Sequence, residues 1–449
     1  MKIIADLHLH SKYSRATSSD MDIENMSKWA RIKGVNVLGT GDFTHPLWLK
    51  ELKEKLEEAE DGLYKLKKKN FLLKDVKGNN LGFYNINLAS NSNNKDNQLR
   101  FILTTEISCI YSKNNRTRKI HLVVLAPSFE MVEKINSYLS WIGNLKADGR
   151  PILGVDAKEL LKIILNTCPD CMVIPAHIYT PWFSLFGANS GFDSIEECFE
   201  EYSKYIYAGE TGLSSDPEMS WRNSSLDNIT LVSNSDAHSP SKIGREANIF
   251  EGEKLSYKNI ISAIKLGKNA DEFCDLKLVS TIEFYPEEGK YHFDGHRNCG
   301  ICLSPEDAKK INNICPKCSR PLTIGVCHRV EDLSDRPKGG RPDKVIPFLK
   351  LIPLEEIIAD ALGVRSTTKA VLGKYKELIN YFGSEFKVLL EADISRIEQL
   401  SLPEIAEGIR RVREGKVYIS PGYDGEYGKV KIFKEGEVEN FSKKQASLF

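Results

Sequence analysis

The sequence predicts an α/β protein that carries additional modules after its main domain. Between Lys2 and about Phe250, short apolar runs alternate with helical or loop stretches, a pattern typical of βα units with parallel strands. After that point the alternation gives way to paired cysteines and then to amphipathic helical segments. With 449 residues, the chain is long enough for about two or three domains.

Seven short apolar runs have the composition of buried strands. They are Lys2 to Ala5, Val35 to Thr40, Phe101 to Thr105, Ile120 to Leu125, Met172 to Ala176, Tyr205 to Ala208 and Ile229 to Ser233. Most end at or just before a residue that can bind a metal, whereas His121 lies early in its own run. These residues are Asp6, His8, His10, Asp42, His45, Glu106, His177, Glu210, Asp236 and His238. Because the carboxyl ends of parallel strands meet at one face of an α/β fold, we expect the side chains to converge there.

The first ten residues hold the clearest of these signals. Side chains alternate along a strand, so His8 and His10 project from one face while Leu7 and Leu9 point into the packing. Neighbouring imidazoles beside a carboxylate favour zinc, manganese or iron, and the spacing recurs in Asp236-Ala237-His238. The alternative for the first pair alone is two hydrogen-bonded histidines at a strand end.

The number of candidate ligands favours more than one ion. The imidazoles and carboxylates outnumber what one mononuclear centre needs, so the sequence predicts about two or three divalent metals, chosen among Zn, Mn, Mg and Fe. Clustered metals favour hydrolysis of phosphate esters, because one ion lowers the pKa of water while others hold phosphate oxygens. Arg15 follows the first ligands and suits a phosphate clamp, although a lone loop arginine is more often a surface ion pair. Asp236, His238 and Arg15 are the candidate catalytic residues.

The stretch from about residue 50 to residue 100 is predicted to be an exposed insertion. Lys50 to Lys69 has the composition of a charged helix, and Lys74 to Arg100 is rich in Asn, Lys and Gly. Its asparagine-rich part, Asn91 to Gln98, is predicted to be a mobile loop without chemistry.

Two cysteine pairs after the main domain have the spacing of a zinc ribbon. Cys299 with Cys302 and Cys315 with Cys318 offer four thiolates to one closed tetrahedral zinc. A closed site leaves no open position for catalysis, so this zinc is predicted to be structural. Cys168-Pro169-Asp170-Cys171 has the same local spacing but no second pair nearby, and we expect ordinary thiols there.

The remaining sequence divides into a basic linker and a helical domain. The linker, Arg329 to Lys344, includes Arg336, Lys338 and Arg341, and it either tracks a phosphate backbone or is a solvated loop between modules. From Pro353, amphipathic segments predict a small helical bundle closed by a hairpin. The helical segments are Leu354 to Leu362, Thr367 to Phe382 and Leu402 to Glu414, and the hairpin strands are Val417 to Ile419 and Lys429 to Phe433.

Charge and hydropathy restrict the partners and the compartment. Lys and Arg number 62 and Asp and Glu also number 62, so a polyanion must be met by local basic patches rather than by net charge. The sequence contains no apolar run of about eighteen residues and no secretory amino terminus. We therefore expect a cytoplasmic protein whose cysteines are reduced.

Together the motifs resemble those of a known superfamily. Asp6-Leu7-His8-Leu9-His10, Gly41-Asp42, Glu106, His121, His177 and Asp236-Ala237-His238 are similar to the motifs of the polymerase-and-histidinol-phosphatase (PHP) superfamily of metal phosphoesterases. The fold of that superfamily is a distorted (β/α)7 barrel. With Ser14 to Ser18, Gly209 to Pro217, the four-cysteine ribbon and the helical tail, the chain is similar to the endonuclease Q family over nearly its whole length.

This resemblance implies a domain organisation and an activity. Residues 1–285 would form the barrel with the insertion at about 50–100, residues 286–345 the zinc ribbon and linker, residues 346–434 the helical domain with its hairpin, and residues 435–449 a tail. Endonuclease Q proteins act in DNA repair. The implied reaction is hydrolysis of the phosphodiester on the 5′ side of uracil, hypoxanthine, xanthine or an abasic site, by a protein associated with the nucleoid when it acts.

By motif, the resemblance also implies the metal ligands and raises one question about them. The ligands are His8, His10, Asp42, Glu106, His121, His177, Asp236 and His238. Many superfamily members have His directly after the second-motif Asp, where this chain has Phe43, so either His45 replaces that ligand or one metal is lost. Two rival hypotheses remain: a PHP-type small-molecule phosphatase such as histidinol-phosphate phosphatase, and a DNA-binding module without catalysis.

Two further segments are candidates for contacts with DNA or with a partner. Trp182 and Phe183, in the loop after His177, would wedge the duplex or stack on an extruded base, unless that loop simply folds onto its own core. Ser214 and Asp216 are candidates for hydrogen bonds to the base edge. At the C terminus, the candidate contacts Gln445, Leu448 and Phe449 lie in a sequence that resembles peptides docking on DNA sliding clamps, and the alternative is a frayed terminus.

Overall fold

The computed structural model describes residues 1–67 and 99–438. The predicted loop Asn91 to Gln98 and the candidate clamp peptide with Gln445, Leu448 and Phe449 lie outside the described residues. Among the residues described, no helix is both long enough and apolar enough to span a lipid bilayer.

The described residues form short strands and short helices in alternation. The strands are β1 Lys2–Asp6, β2 Val37–Gly39, β3 Leu56–Glu60, β4 Leu63–Leu66, β5 Arg100–Lys113, β6 Arg116–Ala126, β7 Ile152–Leu153, β8 Met172–Pro175, β9 Ala208–Glu210, β10 Thr230–Val232, β11 Ala247–Gly252, β12 Leu276–Glu283, β13 Asp294–His296, β14 Ile301–Leu303, β15 Phe348–Lys350, β16 Tyr418–Ser420 and β17 Lys429–Lys431. The α-helices are α1 Ile23–Lys33, α2 Pro46–Lys55, α3 Phe129–Ile142, α4 Ala157–Thr167, α5 Ile195–Phe199, α6 Pro217–Ser220, α7 Tyr257–Leu266, α8 Pro305–Lys310, α9 Val326–Leu333, α10 Leu354–Leu362, α11 Lys369–Phe382, α12 Ile394–Leu400 and α13 Pro403–Arg413.

Local sequence fixes where several of these helices begin and end. Asp22 caps α1 by accepting a hydrogen bond from Asn25 N, and Ser128 caps α3 in the same way from Met131 N. Such caps satisfy backbone N–H groups that have no partner inside the helix. Gly34 ends α1 with φ 92°, a left-handed conformation that glycine adopts without steric cost.

Seven strands form a barrel in the order β1, β2, β5, β6, β8, β9 and β10. The pairs β1–β2, β2–β5 and β9–β10 are parallel. The ring closes through backbone hydrogen bonds beyond the strand ends, where Ile178 N donates to Glu210 O (2.9 Å) and Asp236 N donates to His8 O (2.9 Å). All seven runs predicted from the sequence therefore overlap barrel strands, although β5 extends to Lys113, past the predicted end at Thr105, and only Ala208 of the run Tyr205 to Ala208 lies in β9.

One barrel strand runs against its neighbours. β6 is antiparallel to β5, where His121 lies opposite Ser108, and antiparallel to β8 as well. The expectation that the strands are parallel is therefore wrong for β6. The reversal brings His121, at the centre of β6, close to Glu106 of β5, although His121 lies near the start of the run predicted from the sequence.

The charged segment after β2 is not one long helix. α2 ends at Lys55, and the hairpin of β3 and β4 follows, with Gly62 in its turn at φ 70°. Leu56, Leu63 and Leu66 of this hairpin are buried, and β4 pairs with β5. Burial of these side chains against the barrel outweighs the helical charge pattern of the sequence.

The C-terminal half extends the sheet and adds two hairpins. β11 pairs antiparallel with β1, β12 pairs antiparallel with β11, and β15 joins β12 in parallel. β13 pairs with β14 in the cysteine-rich region, and β16 pairs with β17 after the last helix. The C-terminal helices contact α1 through a buried ion pair between Lys33 Nζ and Glu385 Oε2 (2.7 Å).

Candidate metal centre

Six side chains from five barrel segments form two ligand sets that lie side by side. In each set the donor atoms lie within 4.8 Å of one another. The first set is His8, His10 and Asp236, and the second is Glu106, His121 and His177. Glu106 joins the two, because its Oε1 lies 2.7 Å from His121 Nδ1 and its Oε2 lies 3.3 Å from His10 Nε2. This carboxylate is therefore placed to belong to both sets.

The donor atoms of the first set have no hydrogen-bond partner among the residues described. His8 Nε2, His10 Nε2 and Asp236 Oδ1 are all buried. On the other edge of each ring, His8 Nδ1 lies 3.0 Å from the Glu210 carboxylate and His10 Nδ1 lies 3.1 Å from Asp42 Oδ1. A carboxylate that accepts from Nδ1–H leaves the lone pair of Nε2 directed at the set, which is the arrangement of metal-binding histidines. The donor set fits divalent metal ions.

The charge state of the centre suits cations. Burial lowers the pKa of His121 to about 4, so its ring is neutral at neutral pH. Burial opposes ionisation of Glu106, but the positive charges of His8 and Arg150 outweigh it and hold the pKa of that carboxyl well below its usual range. Burial also lowers the pKa of His8, yet the Glu210 and Glu106 carboxylates raise it well above the ordinary value. A proton and a cation therefore compete for the same imidazole atom.

Three residues of the centre have left-handed backbone conformations. Their φ angles are 50° for Asp42, 31° for His177 and 46° for Asp236. Such conformations cost about 1–3 kcal/mol each in a non-glycine residue and persist only where the surroundings hold them. Gly212 lies so close to His177 that an added Cβ would come within 2.5 Å of the histidine Cβ. The surrounding barrel loops therefore hold these three residues in strained backbone conformations, which place their side chains at the metal centre.

Comparison with known proteins matches two parts of the chain to family models. Residues 218–269 match the model described as PHP-associated, and residues 353–416 match the MJ0043 C-terminal domain. The uncharacterized protein MJ0043 of Methanocaldococcus jannaschii is 39% identical over 268 residues, which is 58% of this chain. The matched segment spans 32% of that protein, so the chain covers about a third of its length.

Two solved structures match nearly the whole chain. The lesion-specific endonuclease PfuEndoQ from Pyrococcus furiosus is 29% identical, with a TM-score of 0.80 and 99% of both chains covered. Endonuclease Q in complex with a 27-mer duplex substrate that has an abasic lesion at the active site is 30% identical, with a TM-score of 0.79 and coverage of 97% of this chain and 98% of that one. The chain belongs to the endonuclease Q family. The family and the PHP-type fold predicted from the sequence are thereby confirmed.

Two of the eight ligands carried over from the endonuclease Q resemblance lie beside the two sets rather than in them. Asp42 accepts hydrogen bonds from Ser11 N (2.7 Å) and Ser14 Oγ (2.9 Å) in addition to its contact with His10. His238 is half-buried, its ring centroid lies 4.5 Å from that of His10, and its Nδ1 donates to Asp236 O (2.8 Å). Asp42 orients a ligand of the first set, and His238 borders that set.

The residues after Asp42 do not enter either set of this endonuclease Q chain. Phe43 is fully buried in the apolar core. His45 precedes α2 and stacks on Tyr13 with ring centroids 4.4 Å apart. Burial lowers the pKa of His45, whose Nδ1 makes no hydrogen bond within residues 1–67 and 99–438.

Arg150 is a neighbour of the centre that the sequence analysis missed. Its Nη1 lies 3.0 Å from Glu106 Oε2, and its side chain is only partly exposed. The buried Asp148 carboxylate holds the adjacent loops together by accepting from Arg15 N and Arg150 N, both at 3.2 Å. Asp148 Oδ2 also lies 3.3 Å from Nε of Arg15, whose side chain is 76% exposed. The only sequence signal was an arginine between Gly149 and a proline.

In the aromatic loop after His177, Phe183 is half-buried and Trp182 is exposed. Phe183 packs against the ring of His121 (4.7 Å between centroids), and its carbonyl accepts from His121 N (3.0 Å). Trp182 is 43% exposed and lies edge-on to Tyr291 at 5.5 Å. The packing of Phe183 corresponds to the alternative of a loop folded onto its own core, whereas Trp182 stays accessible.

Several of the predicted DNA contacts have other partners. Asp216 is buried, caps α6 by accepting from Met219 N (2.9 Å) and lies 2.7 Å from Lys350 Nζ, so its carboxylate is not available to a base. Arg336 makes two hydrogen bonds to Asp227, at 2.8 and 2.5 Å. Three of the predicted DNA contacts in these segments remain accessible to solvent. Ser214 is half-buried, and Lys338 and Arg341 are exposed.

The cysteine-rich region also contains a ligand set, with one change from the prediction. His296, Cys299, Cys315 and Cys318 come together, and Cys302 is not part of that set. In the β13–β14 pair, Cys302 lies opposite Gly295 and His296 lies opposite Ile301. Opposed residues share a face and neighbours alternate, so His296 and Cys302 project to opposite faces of the hairpin. Three cysteines and a histidine are a common zinc ligand set.

Proposed function

We propose that this chain is a metal-dependent DNA endonuclease that recognises a deaminated base or an abasic site and hydrolyses the phosphodiester on its 5′ side. The observation that carries the proposal is the pair of ligand sets joined by Glu106. Adjacent divalent sites joined by a carboxylate suit phosphoryl chemistry, in which attacking and leaving oxygens both need stabilisation. The relatives named above supply the class of substrate, and uracil, hypoxanthine and xanthine remain the expected bases.

His8, His10, Asp236 and Glu106 would hold one divalent ion, and Glu106, His121 and His177 would hold a second. Bound ions would supply a water of lowered pKa and stabilise negative charge on the phosphate oxygens. Zn, Mn, Mg and Fe all remain candidates. A third ion would need His238, whose Nδ1 donates to a backbone carbonyl and so leaves Nε2 free to bind.

The protein side chains prepare this centre for a phosphate group. Asp42 and Glu210 hold the rings of His10 and His8 so that each Nε2 faces the set. Arg150 places a guanidinium at the Glu106 carboxylate, where it offers further N–H donors to a phosphate oxygen. Arg15, mostly exposed and held by Asp148, extends that positive charge toward solvent. These are positioning and binding roles that do not require the side chains to change protonation.

Lesion recognition needs a group that can enter the base stack. Trp182 meets that need because it is exposed, follows His177 closely and lies in a loop fixed by Phe183 on the barrel. An indole inserted between base pairs would kink the duplex and favour extrusion of a weakly paired base. Ser214 would hydrogen-bond the base edge, and the ribbon would hold one structural zinc.

The test is a nicking assay on a labelled duplex that contains one deoxyinosine, one deoxyuridine or one abasic site. The protein is incubated with Mn²⁺, Zn²⁺ or Mg²⁺, beside an undamaged duplex and a chelator control. A single metal-dependent nick on the 5′ side of the lesion is expected. Release of phosphate from a small monoester without any nick would overturn the proposal in favour of a small-molecule phosphatase.

A further inference from the structure

The outer face of the β16–β17 hairpin carries lysines and tyrosines that the proposed chemistry does not use. Tyr418 lies opposite Lys431, and Ser420 lies opposite Lys429. Directly opposed residues of an antiparallel pair project to the same face, and all four of these side chains are exposed. On the other face, Val430 packs against the hydrophobic core. The hairpin therefore has one anchored face and one face open to solvent.

The open face is locally basic in a chain whose net charge is zero. Residues 416–434 contain four lysines, one aspartate and one glutamate. The aspartate, Asp424, accepts hydrogen bonds from Arg297 N and Thr323 Oγ1, both at 2.6 Å, and the glutamate, Glu426, lies exposed in the turn. In the part of the chain that the structure describes, Lys429 and Lys431 make no ion pair. Their charges are available to a partner.

Backbone hydrogen bonds attach the hairpin to the segment that precedes Tyr291. Gly425 N donates to Lys290 O (2.9 Å), and Gly422 N donates to Glu287 O (2.8 Å). Lys290 Nζ lies over the ring of Tyr427 at 4.5 Å, and the next residue, Tyr291, packs on Trp182. Basic and aromatic side chains thus continue from the loop after His177 to the hairpin. We call this the hairpin track, defined by Trp182, Lys290, Tyr427, Lys429, Lys431 and Tyr418.

We propose that the hairpin track binds the phosphate backbone of the duplex that flanks the lesion on one side of the cut. The inference rests on the proposed function, because it takes DNA as the partner. Lysines that neutralise phosphates release counterions, which gives affinity without sequence preference. Tyr418 and Tyr427 add hydroxyl donors of the kind that contact phosphate oxygens. Since the net charge of the chain is zero, its binding to DNA depends on local basic patches, of which the hairpin track is one.

The track is tested by binding of a labelled, undamaged duplex of about 30 base pairs, measured by fluorescence anisotropy between about 0.05 and 0.3 M salt. An undamaged duplex offers no site for cutting, so binding is read by itself. The double variant Lys429→Ala/Lys431→Ala should lower the slope of log affinity against log salt by about 1.8, since each lost phosphate contact removes about 0.9. Its affinity near physiological salt should fall roughly 10-fold.

Matched variants distinguish the effect of the track lysines from the effect of losing positive charge elsewhere on the surface. Lys258→Ala/Lys369→Ala removes the same charge from exposed positions on α7 and α11, and it should leave the slope nearly unchanged. Lys429→Arg/Lys431→Arg keeps the charge and should retain wild-type binding. Melting temperature and zinc content show whether each variant is folded. Equal loss in both alanine variants, or no loss in either, would overturn the inference.

Cleavage separates a failure of the track from a failure of the proposed function. Lesion duplexes with a full flank on both sides, or with one flank shortened to about 4 base pairs, are compared in single-turnover reactions. The Lys429→Ala/Lys431→Ala variant should lose about 10-fold in kcat/KM with full flanks and show wild-type rates once the flank on the track is removed. If the wild type cuts the lesion duplex but the salt slopes of the wild type and the Lys429→Ala/Lys431→Ala variant are equal, only the inference about the hairpin track is wrong. If the wild type does not cut any lesion duplex, the proposed function fails whatever the slopes show.

Discussion

The barrel centre and the cysteine-rich cluster are assembled in opposite ways. The candidate ligands of the barrel come from segments spread between His8 and Asp236, and almost all of them are buried. The candidate ligands of the ribbon lie within one short stretch, from His296 to Cys318, and only Cys315 of that set is buried. Around the ribbon cluster, the buried apolar residues are Ala308 and Leu322 beside Cys315. The barrel centre forms only once the whole barrel has folded, whereas the cysteine-rich cluster is surrounded by very little apolar core.

This difference teaches what each metal would contribute. The barrel has a large apolar core and outer carboxylates that orient the ligands without an ion, so the loss of an ion there should cost chemistry. The ribbon is too small for its own core, so the loss of its ion should cost folding. Variants of single ligands can break or sharpen that contrast.

The largest effect is expected in the barrel. Asp236→Asn removes a charged donor that faces His10 Nε2 at 3.1 Å, so nicking should fall by at least about 1,000-fold. Metal content measured after dialysis should fall as well, while the thermal unfolding midpoint changes little. Wild-type nicking by this variant would contradict the ligand assignment, and global unfolding would contradict the contrast with the ribbon.

In the ribbon, Cys315→Ser should remove zinc and destabilise the protein by about 2–5 kcal/mol. Cys315 is both a candidate zinc ligand and part of the small buried core of this region, with Ala308 and Leu322. Cys302→Ser is the matched control, since its sulfur faces Pro421 O and not the cluster. Zinc analysis and thermal melting distinguish them. If Cys302→Ser lost zinc while His296→Ala kept it, the four-cysteine set would be correct after all.

A smaller effect is expected from the outer carboxylates of the barrel. Glu210→Gln and Asp42→Asn keep the size of the side chain but weaken acceptance from His8 and His10, and should reduce affinity for Mn²⁺ by about 10–100-fold. Calorimetric titration of the metal measures this directly. Raising the Mn²⁺ concentration should restore nicking, which it would not do for a variant that lacks a ligand atom. Unchanged affinity would show that the rings are held by packing alone.

The smallest effect is expected from Arg150→Lys. The lysine keeps the charge beside Glu106 but loses the second N–H donor of the guanidinium, so nicking should fall about 10-fold with little change in metal affinity. Arg150→Ala should lose more. The two readouts separate a role toward phosphate from a role toward the metal. Loss of metal affinity in Arg150→Lys would place the residue among the supports of the ligand sets.

The sequence by itself determined the strands and the types of ligand. Apolar runs of strand length and the side chains that follow them are local patterns, so the seven barrel strands and the set of imidazoles and carboxylates could be predicted before any pairing was known. The cysteine pairs are also a local pattern, and their spacing located the cysteine-rich cluster but not its histidine, His296. The motif Asp236-Ala237-His238 could be recognised for the same reason. In the structure, Asp236 belongs to the first candidate ligand set, whereas His238 lies beside that set.

Only the tertiary structure decided the direction of each strand, the face to which each side chain points, and which residues distant in sequence are in contact. The reversal of β6 depends on its neighbours in the barrel, and it alone brings His121 to Glu106. The exchange of Cys302 for His296 depends on which face of a hairpin each side chain takes. Arg150 reaches Glu106 because Asp148 ties two loops together. Spacing along a chain restricts which residues can meet, but pairing and packing choose among them.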